Sequence, residues 1–182
     1  MRYFILDEDM TLARRRVAYP RQATGDKLPL LEFINGTPFT GSAPLQTRVA
    51  YPGIEVDVDM ILSIPVIRRS VAGLLQSVAV NDIECVDVEI DGVTEPFVAI
   101  NVLRRLDCVD ERRTGVRYAT VDDPAPGGLR YRALRNLRVL PSEIGDAQIF
   151  RIIDWPIPII VSEAVRNILL AHEVSGIVFQ EV

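Results

Sequence analysis

The stretch Arg68-Arg69-Ser70-Val71-Ala72-Gly73-Leu74-Leu75-Gln76-Ser77-Val78-Ala79 decides the fold. Val71, Leu74, Leu75 and Val78 recur at i, i+3, i+4 and i+7, the spacing of one helix face. Before it, Ile54-Glu55-Val56-Asp57-Val58-Asp59-Met60 alternates without error, as a strand with one buried face does. After it, Ile83 to Ile90 reads as a second strand, Asp91-Gly92 as a hairpin turn, and Phe97 to Leu103 as the return strand. A helix embedded among strands that double back on themselves predicts an α+β fold with a mixed or mostly antiparallel sheet.

The C-terminal part repeats this order. Ile157 to Val161 reads as a strand, Ser162 as a helix cap with Glu163 in the first turn, and Gly176 to Val182 as the last strand. Val165, Ile168 and Leu169 supply the helix stripe. An offset of 94 residues aligns Val71 with Val165, Leu74 with Ile168, Leu75 with Leu169, Val80 with Val174 and Ile83 with Ile177. The sequence therefore suggests two main helices in two related helix–strand units. Hydrophobic periodicity by itself also produces such matches, so the sequence leaves both explanations open.

At 182 residues the chain has the size of one domain, expected to span 1–182, with a loop-rich segment at 1–50 and the main α+β body at 51–182. Hydrophobic residues make up 48%, enough for a real core. No apolar run approaches a membrane span, and the run after Met1 is short and meets acids at Asp7, which predicts a cytoplasmic protein. Residues 7–50 carry Tyr19-Pro20, Leu28-Pro29, Gly36-Thr37-Pro38 and Ala43-Pro44 and read as loops. Asp122 to Gly128 reads as a further loop. Cys85 and Cys108, the only cysteines, are expected as buried free thiols.

Charge is uneven. The total is -5, yet residues 51–95 hold nine acids against two arginines, and residues 96–140 hold nine arginines against five acids. Strand alternation would place Glu55, Asp57 and Asp59 on one side of one strand, and Asp87, Glu89 and Asp91 on one side of another. Such faces are either solvated or covered by a basic partner. The arginines around Arg130-Tyr131-Arg132 have the look of a nucleic-acid patch, but a pI near 5 argues against it and favours internal pairing or a solubilised edge. Trp155, held between Asp154 and Pro156-Ile157-Pro158, suits either a core plug or an interface anchor.

No catalytic kit is visible. His172 is the sole histidine, placed to meet the last helix carbonyls, and no ligand set for a metal surrounds it in the sequence. No phosphate loop and no nucleophile elbow occur, and no cofactor is expected. Asp107 and Asp110 are the best carboxylate pair for acid–base work, although their spacing is ordinary for a turn.

A resemblance adds what the residues alone do not. Asn101 to Asp110, the block from Ile149-Phe150-Arg151 through Ser162-Glu163 to Gly176-Ile177-Val178-Phe179, Pro65-Val66-Ile67 with Val71 to Leu75, and the opening Arg2 to Leu6 resemble the immunity-protein family numbered eleven of bacterial polymorphic-toxin systems. Residues 10–50 have no counterpart in it. The resemblance implies a protein that binds and neutralises a cognate toxin by occluding its active site, as a monomer or homodimer, with no catalytic residue of its own. The toxin would carry a basic surface, and the candidate contact residues are Glu55, Asp57, Asp59, Asp87, Glu89, Asp91 and Trp155. An enzyme built on Asp107 and Asp110 and a self-associating scaffold are the competing readings.

Overall fold

The computed structural model describes residues 1–125 and 129–182; Pro126, Gly127 and Gly128 of the expected loop lie outside the described residues. The fold is α+β, built on two sheets with two principal helices between them. The first sheet joins β1 (Tyr3–Glu8), β8 (Arg105–Leu106), β11 (Ile149–Ile152), β12 (Trp155–Ser162) and β13 (Ile177–Glu181) in the order β13-β1-β12-β11-β8. The second joins β2 (Arg16–Val17), β3 (Leu45–Tyr51), β4 (Val58–Ile61), β5 (Ile64–Arg68), β6 (Ile83–Asp91) and β7 (Phe97–Val102) in the order β2-β3-β6-β7-β5-β4. A separate hairpin pairs β9 (Gly115–Tyr118) with β10 (Tyr131–Arg135). The helices are α1 (Leu30–Asn35), α2 (Arg69–Ala79) and α3 (Glu163–Ala171).

The buried stripe of α2 overlaps the predicted one at Val71 and Leu75. Val71, Ala72, Leu75 and Ala79 face inward, with Val165 and Leu169 of α3 beside them. They close a core with Phe4 and Leu6 of β1, Ile67 of β5, Val98, Ile100 and Val102 of β7, and Ile159 and Val161 of β12. Leu74 is only partly buried and Val78 is 37% exposed, because the inward stripe runs through Ala72 and Ala79 and leaves these two at its margin. Ser162 caps α3 as expected, accepting from Val165 N at 3.3 Å, and its hydroxyl also lies 2.6 Å from Gln148 Oε1. Ser162→Ala is expected to cost about 1 kcal/mol or somewhat more in a thermal melt, since cap and buried hydrogen bond go together.

The 94-residue echo is structural. In β1, Tyr3, Phe4 and Ile5 pair with Ser162, Val161 and Ile160; in β7, Phe97, Val98 and Ala99 pair with Arg68, Ile67 and Val66. On its other side β1 pairs Phe4 with Glu181 and Glu8 with Ile177, while β7 pairs Val98 with Asp87 and Val102 with Ile83. Each of these partners shifts by 94. The chain is thus two copies of a β–insert–β–β–α–β unit, β1-β4-β5-α2-β6 and then β7-β11-β12-α3-β13. Each copy gives its first strand to the other copy's sheet.

Further contacts follow the same rule. The loop before β6 serves the start of β11: Asp82 Oδ2 accepts from Gln148 N at 2.6 Å and from Ile149 N at 3.1 Å. The loop before β13 serves the start of β4: Ser175 O accepts from Val58 N at 3.2 Å, and Asp57 Oδ2 accepts from Ser175 N at 2.9 Å. The two inserts play parallel parts as well. Residues 9–57 cover the outer face of the second sheet with Val17, Leu28, Phe33 and Leu45, and residues 103–148 cover the outer face of the first with Cys108, Tyr131, Leu134 and Ile144.

The segment 7–50 is mostly irregular, as expected, but also holds β2, α1, most of β3 and the end of β1. Two sequence expectations need correction. The strand expected over Ile54–Met60 begins only at Val58, because Asp57 and the residues before it are held by Ser175, Arg15 and Arg68 rather than by a neighbouring strand. Ile64 to Arg68, read at most as a lead-in to the helix, is the inner strand β5, paired on both sides. Its turn from β4 runs through Leu62 (φ 49°) and Ser63 (φ 69°), a left-handed pair without the usual glycine or asparagine, so no turn signal announces it. Arg151 spans the two sheets. It is fully buried, and its guanidinium donates to Ser63 O at 2.7 Å, Pro156 O at 2.7 Å and Ile157 O at 2.9 Å.

Candidate functional site

The two acidic groups have different fates. Asp59 is buried: its Oδ2 accepts from Val17 N at 2.9 Å and Arg14 Nε stands 3.7 Å from Oδ1. Desolvation raises its pKa, opposed by the Val17 hydrogen bond and the nearby arginines. Asp57 is bound to Arg68 at 3.1 Å and to Ser175, and Glu55 to Arg15 at 2.9 Å and Arg68 at 3.3 Å. This group is therefore not an open acidic face; the first insert, through Arg14 and Arg15, and β5, through Arg68, neutralise it.

The second group is open. Asp87, Glu89 and Asp91 alternate with buried Val86, Val88 and Ile90, so their side chains stand together on the surface where β6 runs past the end of the helix layer. Asp87 is paired with Arg69. A surface groove beside them continues past Glu95 and Pro96 to Phe97. Val88, Ile90, Val93 and Phe97 line it together with three carboxylates and one guanidinium.

Trp155 is half-buried at the start of β12, its ring packed at the margin of the outer core of the first sheet. Beside it a cleft opens between the sheets, lined by Met60 and Ser63 from one and by Asp7, Trp155, Ile157 and Pro158 from the other. Ile157 is 53% exposed there. The prolines tolerate this place because pairing between β11 and β12 is irregular between Phe150 and Ile152.

Among the described residues, four of the nine arginines in the arginine-rich part, Arg104, Arg117, Arg130 and Arg132, are paired with carboxylates. Arg117 and Arg132 share Asp123, while Arg130 reaches Glu111 at 2.8 Å and lies over the rings of Tyr118 and Tyr131. Glu111 also accepts from Tyr131 Oη at 2.6 Å and Tyr118 Oη at 2.7 Å; these phenol hydrogen bonds hold its carboxyl below the usual range.

Asp107 follows β8 directly, and Asp110 opens the next turn, where its Oδ1 accepts from Arg112 N at 3.2 Å. His172 Nδ1 lies 2.9 Å from Ile168 O at the end of α3. Among the described residues, no three His, Cys, Asp or Glu side chains gather as a metal site. No helix among the described residues is long and apolar enough to cross a membrane.

Both cysteines are free. Burial first, then the charges of Asp107 and Glu143, pushes the Cys108 thiol up to about 12 from its ordinary 9.0. The native state therefore keeps a proton that the unfolded chain gives up above about pH 9. The stability contributed by the neutral thiol is whole below that pH and is lost as pH rises toward about 12. Two measurements check this. Cys108 is expected to stay silent to a thiol reagent at pH 8 until denaturant is added, and the urea midpoint is expected to fall across the alkaline window less in Cys108→Ala than in wild type.

Curated proteins offer no match to this chain. A family profile does. Residues 82–182, from the loop that caps β11 to the end of β13, match the Immunity protein family (Imm11). The matched part holds β6, β7, the whole second insert and the second helix–strand unit, more than half of the chain, so this protein belongs to the Immunity protein family (Imm11).

Proposed function

We propose that this protein binds a cognate toxin in the cytoplasm and blocks it by covering its active site, without turnover of any substrate. Membership of the immunity family carries this reading. The open face of Asp87, Glu89 and Asp91 with Glu95 supports a toxin whose contact surface is basic. Protection demands that little toxin stay free, which means nanomolar binding, about -12 kcal/mol, over an interface of roughly 1,600 Å². An acidic rim would serve mainly to speed the encounter.

Co-expression with the secreted polypeptide encoded by the adjoining gene tests the reading, scored by rescue of growth and by co-purification. Failure of the wild-type chain on both counts would remove it. The charge-reversed variant D87K/E89K/D91K is expected to fold normally and to associate about ten-fold more slowly at low salt, with the difference shrinking at high salt. Equal on-rates at low salt would clear this face of any part in binding.

A further inference from the structure

The internal repeat shows what the cleft beside Trp155 is shaped to hold. In the first sheet the cleft is lined at its centre by Asp7 of β1, with β12 on one side and β13 on the other. Asp7 corresponds to Asn101 of β7 under the 94-residue shift, for Asp7 pairs with Val178 and Asn101 with Glu84. Around Asn101 the equivalent space is filled. Helix α1 lies against β7 and reaches across to β12 of the other sheet. Phe33 of α1 is wholly buried in the outer core of the second sheet. Gly36, just past its end, sits so close to β7 that a Cβ would stand 2.8 Å from both Val102 O and Leu103 O. The turn that follows is pinned by polar contacts: Asn101 Nδ2 donates to Thr37 O at 2.7 Å, and Phe39 N donates to Glu84 Oε2 at 2.8 Å.

The second insert, which does the same work for the first sheet, covers the end near Tyr3, Ile160 and Phe150. At the other end Val178 stays 43% exposed, Ile157 53% exposed and Trp155 half-open, with Asp7 and Gln180 exposed beside them. One member of the symmetric pair of clefts is thus occupied by a short helix and its turn, and the other is vacant.

We infer that the vacant cleft is the seat of a short amphipathic helix supplied by the toxin, the counterpart in the complex of what α1 does within the chain. This rests on the immunity reading above. The chemistry of the rim sets the helix apart from α1. Asn101 offers an amide that donates to a carbonyl; Asp7 offers a carboxylate that can only accept. Among the described residues Asp7 has no arginine partner, its side chain accepting from Glu8 N, whereas Glu8 is already committed to Arg14 and Arg16. The incoming helix therefore presents an arginine or lysine to Asp7, beside the face of Trp155, and one or two large apolar side chains to Ile157 and Met60.

The test pairs wild type with the double variant D7K/I157R, whose two sites are exposed enough for folding to survive; a thermal melt matching wild type checks that. Both are co-expressed with the polypeptide encoded by the adjoining gene, affinities are measured on purified material, and hydrogen exchange is followed in the complex. The expected result is rescue by wild type, binding weaker by about thirty-fold or more in the double variant, and new protection at residues 5–8 and 155–158. In the toxin, the segment protected at the same time should tolerate alanine in its middle but not proline. If wild type neither rescues nor co-purifies, the immunity reading falls and the proposal with it. If wild type rescues while the double variant binds equally well, or protection appears only elsewhere, the immunity reading stands and the cleft loses its role. A protected toxin segment that accepts proline would exclude a helix as the occupant.

Discussion

Replacing Arg151 by methionine is expected to lower stability by about 3 kcal/mol or more. The guanidinium is fully buried, no carboxylate lies within ion-pairing distance among the described residues, and three backbone carbonyls depend on it: Ser63 O in the turn of one sheet, and Pro156 O and Ile157 O in the proline-rich start of β12 in the other. Burying the charge is costly, and desolvation, with Arg105 nearby, pulls its pKa down to about 10 from 12.5. Methionine removes that cost and roughly fills the space, so a comparison of gain and loss is needed. Each carbonyl left without a donor costs about 1–3 kcal/mol. The bond to Pro156 O is buried and those to Ile157 O and Ser63 O are part-buried, so the full cost falls on Pro156 O and a smaller one on the other two. The losses win. Arg151→Lys should be intermediate, since one ammonium reaches two carbonyls at best in place of a planar fork. Urea unfolding monitored by circular dichroism measures both; a methionine variant within 1 kcal/mol of wild type would show that the sheets hold together without this bridge.

The second large effect is Val71→Asp. Val71 is 4% exposed, on the face of α2 that meets α3 and both sheets. A carboxylate there has no partner, and the change also removes apolar contacts, so a loss of about 4 kcal/mol or more is expected, a large part of what holds a domain folded. Val165→Asp, the same position 94 residues on, should be equally damaging, for Val165 is fully buried at the matching place on α3. Val80→Asp is the control: Val80 is 64% exposed just beyond α2 and should tolerate the charge. A soluble variant at Val71 or Val165 with a cooperative melt near that of the Val80 variant would contradict the assignment of the helix faces.

How much of this was legible in the sequence follows from where the information is local. Helix α2 is specified by its periodicity, helix α3 by periodicity and its Ser162 cap, and the β6–β7 hairpin by Asp91-Gly92, each within about a dozen residues. The repeat was only suggested: five aligned apolar positions could not be told from chance periodicity, and the matching strand pairings at the 94-residue shift decide it. What escaped was decided at long range. Strand β5 carries Pro65 and a turn of unremarkable residues, and only its pairing on both sides identifies it. Helix α1 is six residues long, with a proline at its N-terminal boundary and no capping side chain; the outer face of the second sheet, not its own propensity, makes it a helix. For the acidic groups, alternation located Asp87, Glu89 and Asp91 on the surface but failed for Glu55, Asp57 and Asp59. The arginines that cancel them are far off in sequence for Arg14 and Arg15, and local spacing carries no trace of that pairing.

The exchange of first strands has a consequence during synthesis. The ribosome makes Tyr3–Glu8 more than a hundred residues before either of the strands that will flank it. Until Trp155–Ser162 and Ile177–Glu181 have emerged, that apolar ribbon has no partner, and it must wait bare or be shielded by a chaperone. The other half meets no such delay, since Phe97–Val102 finds both of its neighbours already translated. Ribosome-stalled chains ending near residue 140 should thus protect the second sheet from protease while leaving the first six-residue ribbon open to cleavage.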